Sequence, residues 1–72
     1  MAGVGANGTL TQSTMDLLRL LKNPLTAEEI SKQLGEPLFK TINRLREMTR
    51  SGLVAAYKKE YIITDKGKSV LQ

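Results

Sequence analysis

Leu25-Thr26-Ala27-Glu28-Glu29-Ile30-Ser31-Lys32-Gln33-Leu34-Gly35-Glu36-Pro37 is the stretch on which the fold turns. Thr26 and Glu29 stand three apart just ahead of an apolar position, the spacing of a capping box. The Thr hydroxyl takes the amide three residues on, and the Glu carboxylate reaches back to the amide of the Thr. Glu28 and Glu29 also suit the positive end of a helix dipole. The helix opened there is short, with Ile30 and Leu34 as its inward residues. Gly35 falls where a left-handed backbone ends it. Glu36-Pro37 then starts another helix, Pro being suited to a first turn.

Upstream, a first helix is expected from about Thr11 to Lys22, capped by Thr9 or Thr11. Asn23-Pro24 stops it, because the residue before Pro is pushed out of the helical region. Leu10, Leu17, Leu18, Leu20 and Leu21 cover a wide arc of that helix, and Met15 projects roughly 160° from Leu17 on a helical wheel. Five leucines are more than one face needs. Either they fill the core of a small domain, or Met15 and Leu18 meet a second subunit. Residues 1–8 hold three of the six glycines and no charge, so a flexible leader is expected, with the folded domain at 9–72.

Downstream, the third helix is expected over Leu38–Ser51, with Leu38, Ile42, Leu45, Met48 and Thr49 turned inward and Gly52 closing it. Two β-rich runs follow, Leu53–Tyr57 and Tyr61–Thr64, joined by Lys58-Lys59-Glu60. That connection has no Gly or Asn, so a tight primed turn is not encoded. Tyr57 and Tyr61 are expected to pack the hairpin onto the helices. Thr64-Asp65-Lys66-Gly67 caps a last helix ending at Val70-Leu71-Gln72. The expected class is α+β and mostly helical: three helices, a short β-hairpin and a short C-terminal helix.

Composition narrows the function. With 72 residues the chain has room for one small domain. It has no His, no Cys and no Trp. The usual ligands for zinc, haem and iron–sulfur groups are therefore missing, as are Cys nucleophiles and His bases. The acids fall on caps, helix surfaces and turns, without a Gly-rich phosphate loop. Neither an enzyme, nor a metal site, nor a cofactor is expected. The longest apolar run, Leu53–Tyr57, is far short of the roughly 20 residues of a membrane span. No secretory signal is legible, so a soluble, cytoplasmic protein is expected.

The net charge of +4 is unevenly placed. Residues 1–39 carry Arg19, Lys22 and Lys32 against Asp16, Glu28, Glu29 and Glu36. Residues 40–72 carry Lys40, Arg44, Arg46, Arg50, Lys58, Lys59, Lys66 and Lys68 against only Glu47, Glu60 and Asp65. A positive half of this kind is either a solvated face or a surface that meets phosphates or acidic partners.

Three blocks carry a resemblance. Leu25-Thr26-Ala27-Glu28-Glu29-Ile30 with Leu34-Gly35 resembles the strand and second helix of a winged helix-turn-helix domain. Leu45-Arg46-Glu47-Met48 with Gly52-Leu53-Val54 resembles the end of that family's recognition helix and its first wing strand. Tyr61-Ile62-Ile63-Thr64-Asp65-Lys66-Gly67 resembles the closing wing strand and following turn of bacterial and archaeal regulators. The resemblance covers about residues 10–72 and implies a winged helix-turn-helix domain whose partner is double-stranded DNA. It implies that the 38–51 helix enters a major groove while the wing lies along the backbone. A second copy is expected from the Leu-rich first helix and from economy, since two-fold pairing doubles the contacts of one small module.

The residues can be set against that expectation. With Leu45 inward, Phe39, Lys40, Asn43, Glu47 and Arg50 lie toward the opposite side of the helix, and Arg44 and Arg46 on its flanks. Lys40 can donate to guanine, and Asn43 can pair with adenine. Arg44, Arg46, Arg50, Lys58 and Lys59 are candidates for phosphates, as is Thr26 at a helix N-terminus. The expected function is that of a small transcriptional regulator acting as a homodimer and, when on DNA, associated with the nucleoid. The alternative is a protein-interaction module of a larger assembly, using Phe39 and the first helix. Phe39 has three readings: contact with a thymine methyl, packing down over Leu38, or the centre of a protein interface.

Overall fold

The computed structural model describes residues 11–71. The leader, the alternative cap Thr9, Leu10 and Gln72 lie outside the described residues. Helix α1 (Gln12–Leu20) starts at Thr11, whose hydroxyl accepts from the Thr14 amide at 3.2 Å. It ends two residues earlier than expected, because Leu21 already leaves the helical region with ψ 36°. Thr14, Leu17, Leu18 and Leu21 are all buried. Leu18, a candidate for contact with a second subunit, is 1% exposed and belongs to the core. The leucine arc is wide because it faces the whole interior, and Met15 beside it is half-buried.

Strand β1 (Leu25–Thr26) leads into α2 (Ala27–Leu34). Both halves of the capping box form: the Glu29 amide donates to the Thr26 hydroxyl at 3.1 Å, and the Thr26 amide to the Glu29 carboxylate at 2.8 Å. Gly35 then takes φ 69°, and the Glu36 amide donates to the Ser31 carbonyl at 3.1 Å, satisfying one of the helix's last acceptors. Helix α3 (Leu38–Arg50) follows directly, with Pro37 as its N-cap.

The phase of α3 differs from expectation. Its buried residues are Thr41, Leu45 and Met48, whereas Leu38 is 38% exposed and Thr49 faces outward. Ile42 is half-buried. A Thr replaces an apolar residue at the inward position because its hydroxyl donates to the Glu36 carboxylate at 2.6 Å. Burying it therefore leaves no unpaired polar atom.

Strands β2 (Val54–Tyr57) and β3 (Glu60–Ile63) complete an antiparallel sheet in the order β1-β3-β2. Pairing of Tyr57 with Glu60 leaves a two-residue turn, Lys58-Lys59, in place of the longer connection expected. Lys58 bends the chain at φ 58° although it is not Gly or Asn. Helix α4 (Asp65–Val70) is capped by Thr64, whose hydroxyl accepts from the Gly67 amide at 3.1 Å and donates to the Gly52 carbonyl at 2.6 Å. Gly67 must be Gly, since a Cβ there would collide with the Leu53 carbonyl oxygen. The Lys66 ammonium donates to the Ser51 carbonyl at 2.6 Å, at the carbonyl-rich end of α3.

Leu17, Leu18, Leu21, Ile30, Leu45, Met48, Leu53 and Val54 form the core, at about 1.5–3 kcal/mol for each large side chain buried. The three helices and the base of the hairpin all contribute to it. That shared core fixes α3 relative to the wing, which is what a two-element binding surface needs.

Candidate nucleic-acid interface

Helix α3 is held from both ends and from beneath. Gly35 and Pro37 set its entry, Lys66 caps its exit, and Leu45 and Met48 anchor it in the core. Its outward face carries Phe39, Lys40, Asn43, Arg46, Glu47 and Arg50, all exposed. Phe39 keeps 64% of its surface open, so it does not pack down over Leu38. Lys40 and Asn43 stand at the rim of a cleft between α3 and the start of α1, which Thr11, Thr14 and Glu47 also line.

The cations on this surface divide by what they touch. Arg44, expected to face phosphates, is paired instead with Glu36. Its Nη2 donates to one carboxylate oxygen at 3.0 Å and its Nε lies 3.5 Å from the other, which also receives the Thr41 hydroxyl. The two side chains are only 26% and 17% exposed. The Arg44 and Thr41 hydrogen bonds hold the Glu36 carboxyl below its ordinary range, against the opposing effect of burial. Glu36, an acid at the edge of this basic surface, therefore has its charge balanced within the fold.

Arg50 lies 3.6 Å from Glu47, but both side chains are more than 60% exposed, so water screens the pair and leaves the arginine available. Among the described residues, Lys40, Arg46, Lys58 and Lys59 make no ion pair. Thr26 is half-buried, with its hydroxyl in the capping box.

At the wing tip Lys58 and Lys59 are exposed, and the Lys58 ammonium sits 5.6 Å from the centre of the Tyr57 ring. Tyr57 is 59% exposed and does not pack against the helices, whereas Tyr61 is half-buried against the core. The strand period separates them. The pairs Ala55–Ile62 and Tyr57–Glu60 share the outer face, while Val54–Ile63 and Ala56–Tyr61 share the inner one. Counting by two from buried Val54 would have found Tyr57 in the sequence. The clamp of Glu36, Thr41 and Arg44 has no such local signal, since Glu36 precedes the helix and the usual three- or four-residue spacing does not apply.

Among the described residues no group of three or more His, Cys, Asp or Glu could hold a metal ion, and no helix is long and apolar enough to cross a membrane. No protein-family model matches the chain, and no curated protein sequence matches it. Two solved structures are similar to it. One is MepR, a transcription regulator of the Staphylococcus aureus multidrug efflux pump MepA. It is 26% identical with a TM-score of 0.79, over 85% of this chain and 50% of that one. The other is the transcriptional repressor CouR bound to p-coumaroyl-CoA, 26% identical with a TM-score of 0.79, over 92% of this chain and 51% of that one. The chain thus spans about half the length of each regulator. Its order of helices, with a three-stranded antiparallel sheet, is that of a winged helix-turn-helix domain.

Proposed function

We propose that this winged helix-turn-helix domain binds double-stranded DNA in transcriptional regulation, with α3 in the major groove and the wing tip on the backbone. The observation that carries the reading is the exposed outer face of α3. It presents Lys40, Asn43, Arg46 and Arg50 in the domain whose shared core also carries the hairpin of Lys58 and Lys59. Similarity to two transcription regulators supports it. In this reading Lys40, Asn43 and Phe39 meet base edges near the start of α3. Arg46, Arg50, Lys58 and Lys59 meet phosphates, joined by the Thr26 end of α2. Two copies would double the contacts that one small domain can make, and Met15 is the side chain of α1 we assign to that pairing.

Titration of the protein into labelled duplex DNA at several salt concentrations tests this. Affinity should fall with salt at a slope of about −0.9 per neutralised phosphate, so four cations on phosphates give a slope of about −3.6 for each copy bound, the basis on which slopes are counted. Asn43→Ala should weaken a selected site by about 1–3 kcal/mol while leaving random duplexes nearly unchanged. An absence of duplex binding at low salt would overturn the reading. An equal loss on both kinds of DNA would remove Asn43 from base readout.

A second reading is favoured by one observation: Phe39 and Leu38 expose apolar surface together at the start of α3. A protein partner covering that patch would change the amide signals of residues 38–42 in the absence of DNA. Changes there on adding duplex alone would favour the first reading.

A further inference from the structure

Arg44 lies on the recognition helix within a turn of Lys40 and Asn43, yet its guanidinium is not presented to solvent as its neighbours' charges are. Glu36 engages it through Nη2 at 3.0 Å and Nε at 3.5 Å. The same carboxylate accepts from Thr41, which is 0% exposed, and so is held from two sides. Glu36 is itself fixed by the backbone, since its amide donates to the Ser31 carbonyl in the turn that ends α2. Pulling Arg44 outward would leave a carboxylate with little exposure and without its cation, an arrangement that folded proteins avoid. Exposed Arg50 shows the contrast on the same helix: its contact with Glu47 at 3.6 Å is loose and open to water.

We propose that Glu36 is a positioning residue that holds Arg44 off the DNA phosphates, so that α3 binds with one cation fewer than it carries. This rests on the DNA-binding reading above and adds to it a source of selectivity. Phosphate contacts raise affinity for every sequence alike, whereas base contacts discriminate. Withholding one arginine lowers binding to random duplexes and leaves Lys40, Asn43 and Phe39 to decide among sites. The pair also ties the start of α3 to the preceding turn, which fixes the angle at which those residues meet a groove.

Glu36→Gln tests the proposal. The amide oxygen can still accept from Thr41, while the charge that holds Arg44 is gone. On random duplexes the variant should bind more tightly at low salt, and its salt slope should steepen by about 0.9, one added phosphate. The preference for a selected site over random DNA should shrink. Glu36→Gln with Arg44→Gln should return the slope to that of the parent. Glu60→Gln, which removes an acid from the wing side of the surface without releasing an arginine, should leave the slope unchanged.

An unchanged slope in Glu36→Gln would overturn the proposal, as would a steep slope that persists in the double variant. If the parent protein fails to bind duplex DNA, it is the DNA-binding reading that falls. The restraint itself is then judged by the Arg44 Nε–H signal in NMR, whose exchange with water should be slow in the parent and fast in Glu36→Gln. Equal exchange in the two proteins would overturn the restraint as well.

Discussion

The turn between α2 and α3 and the turn at the wing tip both need a backbone in the left-handed region. They meet that need with different residues. At the first, Gly35 takes φ 69°, with a capping box upstream and Pro37 just beyond. At the second, Lys58 takes φ 58° with no Gly or Asn in the turn, and its ammonium lies over the exposed ring of Tyr57. An L side chain in this conformation costs about 1–2 kcal/mol. The helix-turn-helix is thus built from residues that prefer their conformation, while the wing tip holds a cation where the backbone resists it. One region is organised for rigidity. The other trades local stability for a charge at the furthest point of the hairpin, where the proposed function places a phosphate contact.

The comparison breaks first at Gly35. Gly35→Ala puts an L residue in the left-handed region, and because a Cβ there would meet nothing within 4 Å, the cost is conformational alone. We expect a loss of about 1 kcal/mol, the strain less the entropy that Gly surrenders on folding. Chemical denaturation would show it as a lower midpoint with an unchanged slope. A loss near zero would mean that the turn relaxes, and with it the fixed entry of α3.

These same two turns separate what could be read in the sequence from what could not. The capping box at Thr26, the Gly35 terminator and the Thr64 cap are hydrogen bonds between residues a few places apart, so residue type and spacing specify them. The phase of α3 departs from its apolar pattern because Thr41 is buried through its hydrogen bond to Glu36, a partner five residues away and outside the helix. The wing turn departs from its local propensity for a related reason. Pairing of Tyr57 with Glu60 forces Lys58 into a conformation that its own propensity opposes. In the candidate site, the positions of the charges were legible, and Phe39 stood out as an aromatic on a polar face. That Arg44 is engaged, and that Tyr57 is open, depends on tertiary pairing and on strand register.

Acid sharpens the helix-turn-helix side of the comparison, with a smaller effect. The Glu36 carboxyl is held below the ordinary glutamate value of 4.5 by its hydrogen bonds to Arg44 and Thr41. A group whose folded pKa is depressed contributes stability that is fully present above its unfolded pKa and is lost as pH falls through the folded value. Stability from this pair should therefore be level from pH 7 down to about 4.5 and decline below it. In Glu36→Gln that part of the decline should vanish, leaving the shallower fall due to the remaining carboxylates. Parallel denaturation series for the two proteins from pH 7 to 3 would check this, and identical profiles would mean that the Arg44 pairing adds nothing to folding.

The smallest expected change in stability lies at the wing, and its sign is opposite. Lys58→Gly removes the left-handed strain, worth about 1–2 kcal/mol, but adds the extra backbone entropy of Gly, about 0.5–1 kcal/mol. It also gives up the contact with the Tyr57 ring, about 0.5 kcal/mol at an exposed site. The net should be a gain of a few tenths of a kcal/mol, together with a salt slope on duplex DNA shallower by about 0.9. Lys58→Asn separates the two effects, because Asn tolerates the left-handed region yet carries no charge. It should match Lys58→Gly in binding and fall between Gly and Lys in stability. A variant that is more stable and binds less well is what a strained functional position predicts. If binding is unchanged while stability rises, the tip does not touch phosphate, and Lys58 is tolerated at this position without serving it.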